Sequence, residues 1–187
     1  MSDQTPSRTT LWTWAAFLAA LATLAGSLFL SVGMGLEACP LCFYQRTFVM
    51  AVVGVLAIGL LTGAGKVGHP TLGMLALPAA AGGVGVAVFH VYLEAVGKLE
   101  CPLGIQGVGT APQQALVAQA VVLAFLLLVA VAPGSRRARG IMPLGCGLIL
   151  GLLFAWAAIK SAPPPKDPPK TPYDAPPKIC RPAYQAQ

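Results

Sequence analysis

The charged residues of this chain are spaced so widely that five long apolar stretches lie between them: Arg8 to Glu37, Arg46 to Lys66, His69 to His90, Glu100 to Arg136 and Arg139 to Lys160. Each gap accommodates a helix of about 20 residues, the length that crosses a hydrocarbon layer of ~30 Å. Only 10% of residues are charged and 56% are hydrophobic, with a mean hydropathy of +0.73, far from a soluble globular average. Lipid offers the backbone no hydrogen-bond partners, so helices must carry these runs. The runs are continuously apolar and do not alternate, which excludes a β-barrel. We read spans at residues 11–33, 43–61, 72–96, 113–132 and 141–159. The expected fold is an all-α membrane protein: a four-helix transmembrane bundle core with a fifth transmembrane helix over residues 1–160, then a tail at 161–187. The first span follows Arg8 as a secretory signal would, but its length and the four spans behind it read as an uncleaved helix.

Loop charges set the expected orientation. Arg136, Arg137 and Arg139 crowd the link between spans four and five, and Lys66 with His69 separates spans two and three, so those links are expected on the cytoplasmic side. The tail carries Lys160, Lys166, Lys170, Lys178 and Arg181, a positive excess that argues the other way; the denser arginine cluster beside a short loop outweighs it. The sequence pI near 9.3 invites a nucleic-acid reading, but the basic residues sit at membrane borders, where topology and anionic lipid account for them.

Five crossings place residue 180 on the same side as residues 39, 42 and 101. Four of the five cysteines then share the oxidising, extracytoplasmic side, where disulfides persist. Cys146 alone falls toward the cytoplasmic end of span five and reads as a small apolar residue.

The sharpest motif is Cys39-Pro40-Leu41-Cys42, followed by Phe43-Tyr44-Gln45-Arg46, at the start of span two. Pro40 suits the first position of a helix, which puts Cys39 at the N-cap. Both thiols then sit at the positive end of the helix dipole, where thiolate is favoured, with Cys39 expected to be the more exposed sulfur. Cys42 and Arg46 are four apart and share a face. An arginine just inside lipid costs up to roughly 3 kcal/mol at the centre of the layer and less near its edge, so it reads as functional, with a snorkelling anchor as the plain alternative. Phe43 stands where a c-type haem motif needs histidine, and no βαβ pattern surrounds the pair for a thioredoxin fold. A four-thiolate zinc site from Cys39, Cys42, Cys101 and Cys180 is geometrically open, but Cys101 and Cys180 lack partners at metal-ligand spacing, and no resident metal is expected.

Nine prolines between Ser161 and Pro182 make the tail an extended, largely polyproline II tether without a core of its own. At about 3.1 Å per residue it reaches on the order of 50 Å, enough to carry Cys180 across the bundle to Cys101. Nothing in the sequence establishes that they pair, and a tail with an incidental cysteine is the alternative.

The string Cys-Pro-Leu-Cys-Phe-Tyr-Gln-Arg at residues 39–46, with Glu-Cys-Pro-Leu-Gly at 100–104, resembles the disulfide bond formation protein B (DsbB) family over roughly the first 130 residues. The resemblance implies a four-helix bundle in the bacterial inner membrane that takes electrons from a periplasmic DsbA-like thioredoxin-fold dithiol oxidase and passes them to a membrane quinone, ubiquinone or menaquinone. It implies that Cys39 and Cys42 are the quinone-proximal pair, that Arg46, with Gln45 beside it, belongs to the quinone site, and that Cys101 is the first cysteine of the second outward loop. His90 resembles a histidine found there in some members; a helix-end histidine that only satisfies its own bonds is the alternative. The quinone is expected near the outer ends of spans one, two and three. The chain departs from the pattern: the second loop holds only Cys101, and a fifth span and a cysteine-bearing tail are extra. If Cys180 takes the place of the missing partner the relay survives; if it does not, Cys101 acts alone through mixed disulfides or the chain works with a different donor.

Two other readings stay open at this level. One is a neighbouring membrane reductase that runs the same sulfur relay for another acceptor; the other is a non-enzymatic scaffold or transporter subunit whose outward disulfides are staples. Gly147 and Gly151, and the small residues 79–85, predict close packing in spans three and five without indicating a function.

Overall fold

The computed structural model describes residues 8–61, 69–131, 141–163, 169 and 171–184. Five helices follow one another: α1 (Arg8–Val32), α2 (Pro40–Leu61), α3 (His69–Ala95), α4 (Ala111–Val131) and α5 (Ile141–Ser161). All five are long and apolar enough to cross a membrane. The expected fold class is borne out.

Helices α1 to α4 close a ring of neighbours, α1 against α2, α2 against α3, α3 against α4 and α4 back against α1, while α5 packs mainly on α3. This is the four-helix core with an added fifth helix. In α1 the buried positions Thr9, Thr13, Ala16 and Ala20 recur every three to four residues, the stripe a helix presents to one side. The opposite face exposes Leu11, Leu18 and Phe29 for lipid. Helix α3 is the central element, buried along most of its length. Its small residues let neighbours approach: a Cβ on Gly151 of α5 would meet the Pro78 carbonyl at 2.7 Å and the Gly82 nitrogen at 3.1 Å. Without hydrophobic drive between helices in lipid, such backbone proximity is what holds a fifth helix on the bundle.

The helices begin up to three residues earlier than the apolar runs suggest. Pro40, Pro70 and Pro112 lie in their first turns, where a missing N–H costs nothing, so the backbone turns helical before the side chains turn apolar. The charges at 132–140 and Lys66, which carried the expected orientation, lie outside the described residues.

The tail does more than span a distance. Its end returns to the bundle as a strand β2 (Arg181–Pro182) antiparallel to β1 (Leu99–Glu100), with Leu99 opposite Pro182 and Glu100 opposite Arg181. Arg181 bonds Glu100 at 3.2 Å and stacks on Tyr173 at 3.6 Å from the ring centroid. The Glu37 N–H donates to the Lys178 carbonyl at 2.8 Å, fixing the tail over the α1–α2 loop.

Candidate redox site

Everything of chemical interest converges at one end of the bundle. Cys39 is the N-cap of α2: its Sγ accepts the Cys42 N–H at 3.3 Å, a bond that leaves the two sulfurs 3.0 Å apart as free thiols. Cys101 and Cys180 are joined by a disulfide, so the pairing that the sequence left open is made across 79 residues. His90, wholly buried on α3, stands between the two pairs, its Nε2 3.8 Å from Cys39 Sγ and 3.6 Å from Cys101 Sγ. Gln45 Nε2 donates to His90 Nδ1 at 3.2 Å, which leaves the ring proton on Nε2, facing sulfur.

The Cys39 thiol is shifted well below the usual thiol range. Its hydrogen bond with Cys42, 3.0 Å between the sulfurs, is the main cause, and the His90 contact adds to it; burial opposes both, and the net effect lowers its pKa to about 5. The sequence led us to expect Cys39 to be the more exposed sulfur, and here the structure corrects it. Cys39 is 4% exposed, whereas Cys42 is partly open. The cause is long-range: His90 of α3 and Cys180 of the tail stand against a position that looks like a free loop in isolation, within one apolar cluster that also holds Val86 and Ile179.

Cys42 opens instead onto a cavity of about 450 Å³ between α1, α2 and α4. Its walls are mainly apolar, including Ala19, Ala22, Ala115 and Ala118, and Pro102 and Ile105 of the loop after β1 lie over it. Arg46 and Gln45 also line it, as does Cys180. His90 does not, and the cavity uses α4 where spans one, two and three were expected. Helix α3 packs behind the sulfurs and contributes no residue to the cavity lining.

Arg46 is pinned from α1. Its Nε donates to Ser27 Oγ at 3.0 Å, and its Nη2 to the Ser27 carbonyl at 2.8 Å and to Ser31 Oγ at 2.6 Å. Nη1 has no hydrogen-bond partner among the described residues. A guanidinium so held presents a fixed positive charge to the cavity without filling it. The loop over the cavity is fixed by Gln114, whose Oε1 accepts the Ile105 N–H at 2.8 Å and whose Nε2 donates to the Ile105 and Val108 carbonyls at 3.0 and 2.8 Å.

Ser27, Ser31 and Gln119 escaped the sequence reading. The serines are four apart on an apolar span, a spacing that puts both on one face and could have flagged them. Gln119 is a buried amide on the cavity wall whose Oε1 has no hydrogen-bond partner among the described residues; a polar side chain in mid-membrane is itself a signal.

The family model described as "Disulfide bond formation protein DsbB" matches residues 8–121. The chain is similar to disulfide bond formation protein B of Methylobacillus flagellatus, 37% identical over 79 residues, 42% of this chain and 48% of the relative. It is similar to disulfide bond formation protein B 1 of Pseudomonas aeruginosa, 38% identical over 81 residues, 43% of this chain and 50% of the relative. The counterpart in Xanthomonas campestris pv. campestris is 37% identical over 79 residues, 42% of this chain and 46% of the relative. The chain spans about half the length of the curated relatives it matches. No solved structure matches. The matched residues contain Cys39, Cys42, Arg46, His90 and Cys101, while α5 and Cys180 lie beyond them. With its cysteine pairs at the mouth of a transmembrane bundle, the chain belongs to the DsbB family of disulfide bond formation proteins.

Proposed function

We propose that the protein is a thiol oxidase of the bacterial inner membrane that reoxidises a periplasmic, DsbA-like thioredoxin-fold dithiol and delivers the electrons to a membrane quinone, with its active cysteines facing the periplasm. One observation carries this reading: Cys42 lines the cavity, while its sulfur and those of Cys39 and Cys180 lie, with a His90 ring nitrogen, within 4.8 Å of one another. The Cys101–Cys180 disulfide is thus one exchange away from a thiol that faces an apolar chamber.

The cavity suits a quinone. About 450 Å³ is in the usual range for small-molecule sites, roughly 300–1,000 Å³. Its alanine walls accept a flat apolar ring, and Arg46 supplies a charged donor for a ring oxygen. A quinone bound there supplies an acceptor for two electrons and two protons.

The protein's part is sulfur exchange. The partner's thiolate attacks Cys101 Sγ, breaking the Cys101–Cys180 bond and freeing Cys180 as thiolate. Cys180 attacks Cys39 of an oxidised Cys39–Cys42 pair, which forms a Cys180–Cys39 bond and releases Cys42 as thiolate toward the cavity. The partner's second thiol attacks its mixed disulfide, leaves oxidised and returns Cys101 as thiolate. Cys101 then attacks Cys180, restoring that disulfide and leaving Cys39 and Cys42 with the electron pair. The observed combination, Cys101–Cys180 closed and Cys39 and Cys42 free, corresponds to this end point. Throughout, the Nε2 proton of His90 is placed to stabilise whichever of Cys39 and Cys101 carries negative charge.

Replacing Cys42 by serine and supplying a reduced dithiol partner tests the assignment. Quinone reduction should fall to background, and undiminished turnover would reject it.

A further inference from the structure

We propose that, once both cysteine pairs are reduced, Cys39, Cys42, Cys180 and His90 bind a thiophilic divalent cation of the zinc class, and that this capture holds the protein in its fully reduced form. The site differs from the four-thiolate set that the sequence offered: the imidazole of His90 takes the place of Cys101.

The ligand atoms of these four residues all lie within 4.8 Å of one another. In a tetrahedral zinc site with S₃N ligands, bond lengths of ~2.3 Å to sulfur and ~2.0 Å to nitrogen put neighbouring ligand atoms about 3.5–3.8 Å apart. Cys39 Sγ and His90 Nε2 already stand at 3.8 Å, and Cys39 and Cys42 at 3.0 Å. Shifts of roughly 1 Å complete the set, within the reach of χ1 adjustments in cysteines.

A ligating imidazole needs its other nitrogen fixed, and Gln45 holds His90 Nδ1 at 3.2 Å. For metal binding through Nε2 the ring proton moves to Nδ1, and the Gln45 amide, turned over, accepts it through Oε1. Three thiolates and one divalent cation leave a net single negative charge, which Arg46, on the same cavity wall as Cys42 and Cys180, offsets. The remaining thiol protons pass to solvent on binding.

The same geometry makes the site conditional. While Cys101–Cys180 is closed, Cys180 cannot ligate as a thiolate, and only two thiolates and an imidazole remain. While Cys39–Cys42 is closed, two of the four ligands are gone. Capture therefore requires four-electron reduction, the condition reached when electrons arrive from dithiols faster than they leave. A metal seated there ties up Cys39, Cys42 and Cys180 together and stops exchange until it is removed. Binding itself needs no turnover and can be read whether or not the quinone reaction is as described.

The test uses the full chain in detergent micelles, reduced with a phosphine, freed of reductant under anaerobic conditions and titrated with Co²⁺. The expected result is one cobalt per chain with thiolate-to-metal charge-transfer and tetrahedral d–d absorption, bleached by one equivalent of Zn²⁺. Protein with Cys101–Cys180 intact should bind at least tenfold more weakly. Cys101→Ser, which leaves Cys180 permanently free, should bind like reduced wild type once Cys39–Cys42 is reduced; Cys180→Ser and His90→Asn should each lose at least tenfold in affinity. Cys146→Ser, on exposed α5 surface, should leave the spectrum unchanged. Absence of tetrahedral absorption in the reduced protein overturns the proposal, as does equal binding with the disulfide intact. Loss in Cys101→Ser with retention in Cys180→Ser overturns the ligand set.

Discussion

The pinning of Arg46 by α1 gives a quantitative prediction about acceptor binding. Replacing both Ser27 and Ser31 by alanine removes the acceptors at 3.0 Å and 2.6 Å and leaves only the Ser27 carbonyl at 2.8 Å. Hydrogen bonds to a charged group contribute about 1.5–3 kcal/mol each. Other rotamers and water recover much of that, so the bias holding the guanidinium in place should fall by about 1–2 kcal/mol, or roughly 5–30-fold in the population of the oriented state. Alanine is a better helix former than serine, so α1 itself should not suffer. In steady-state quinone reduction driven by a reduced dithiol partner, the double variant should raise KM for quinone roughly 5–30-fold with a smaller loss in kcat. Ser31→Ala alone should give a few-fold rise in KM. A double variant with wild-type kinetics would refute the reasoning, because Arg46 would then not depend on α1 for its position.

Three further outcomes follow from the same geometry. With Cys39 and Cys42 reduced and a chelator present, the rate of Cys39 alkylation, slow because the sulfur is buried, should stay level down to about pH 5 and fall below it, since its pKa is lowered to about 5 by the Cys42 hydrogen bond and His90; a midpoint near 8.5, the value of a free thiol, would contradict that. By linkage, the lowered pKa stabilises the folded dithiol form fully above the unfolded value, and that contribution is lost as pH falls from there through about 5. Gly151→Ala should lower the thermal midpoint in detergent, because a Cβ 2.7 Å from the Pro78 carbonyl forces α5 off α3 at a cost of about 1–3 kcal/mol. Arg181→Ala, which removes both the Glu100 pair and the stack on Tyr173, should speed proteolysis of the tail several-fold once Cys101–Cys180 is reduced, and much less while the disulfide is intact.

The spacing of charges made the five helices legible, because crossing lipid demands long apolar runs and little else in this chain is long enough. The chemical character of Cys39, Cys42 and Arg46 was legible too, since a helix start and an i, i+4 relation are local. Burial of Cys39 was not: it depends on His90, 51 positions away, and on Cys180 of the tail, and no local pattern encodes a tail folding back. The same holds for the disulfide between Cys101 and Cys180, which the proline-rich tail permits but does not dictate. The cavity between α1, α2 and α4 follows from which helix fills the centre, a matter of packing among near-identical apolar faces. The small residues of spans three and five predicted their close packing, and the backbone contacts of Gly151 bear that out.

The proposed electron relay requires Cys180 to be an exchanging sulfur and not a staple. The most direct measurement is single-turnover quinone reduction by Cys180→Ser, driven either by a reduced thioredoxin-fold dithiol or by a small dithiol that reaches Cys39–Cys42 without the second pair. Background rates are expected with the protein partner and near wild-type rates with the small dithiol. Full turnover with the protein partner would contradict the relay.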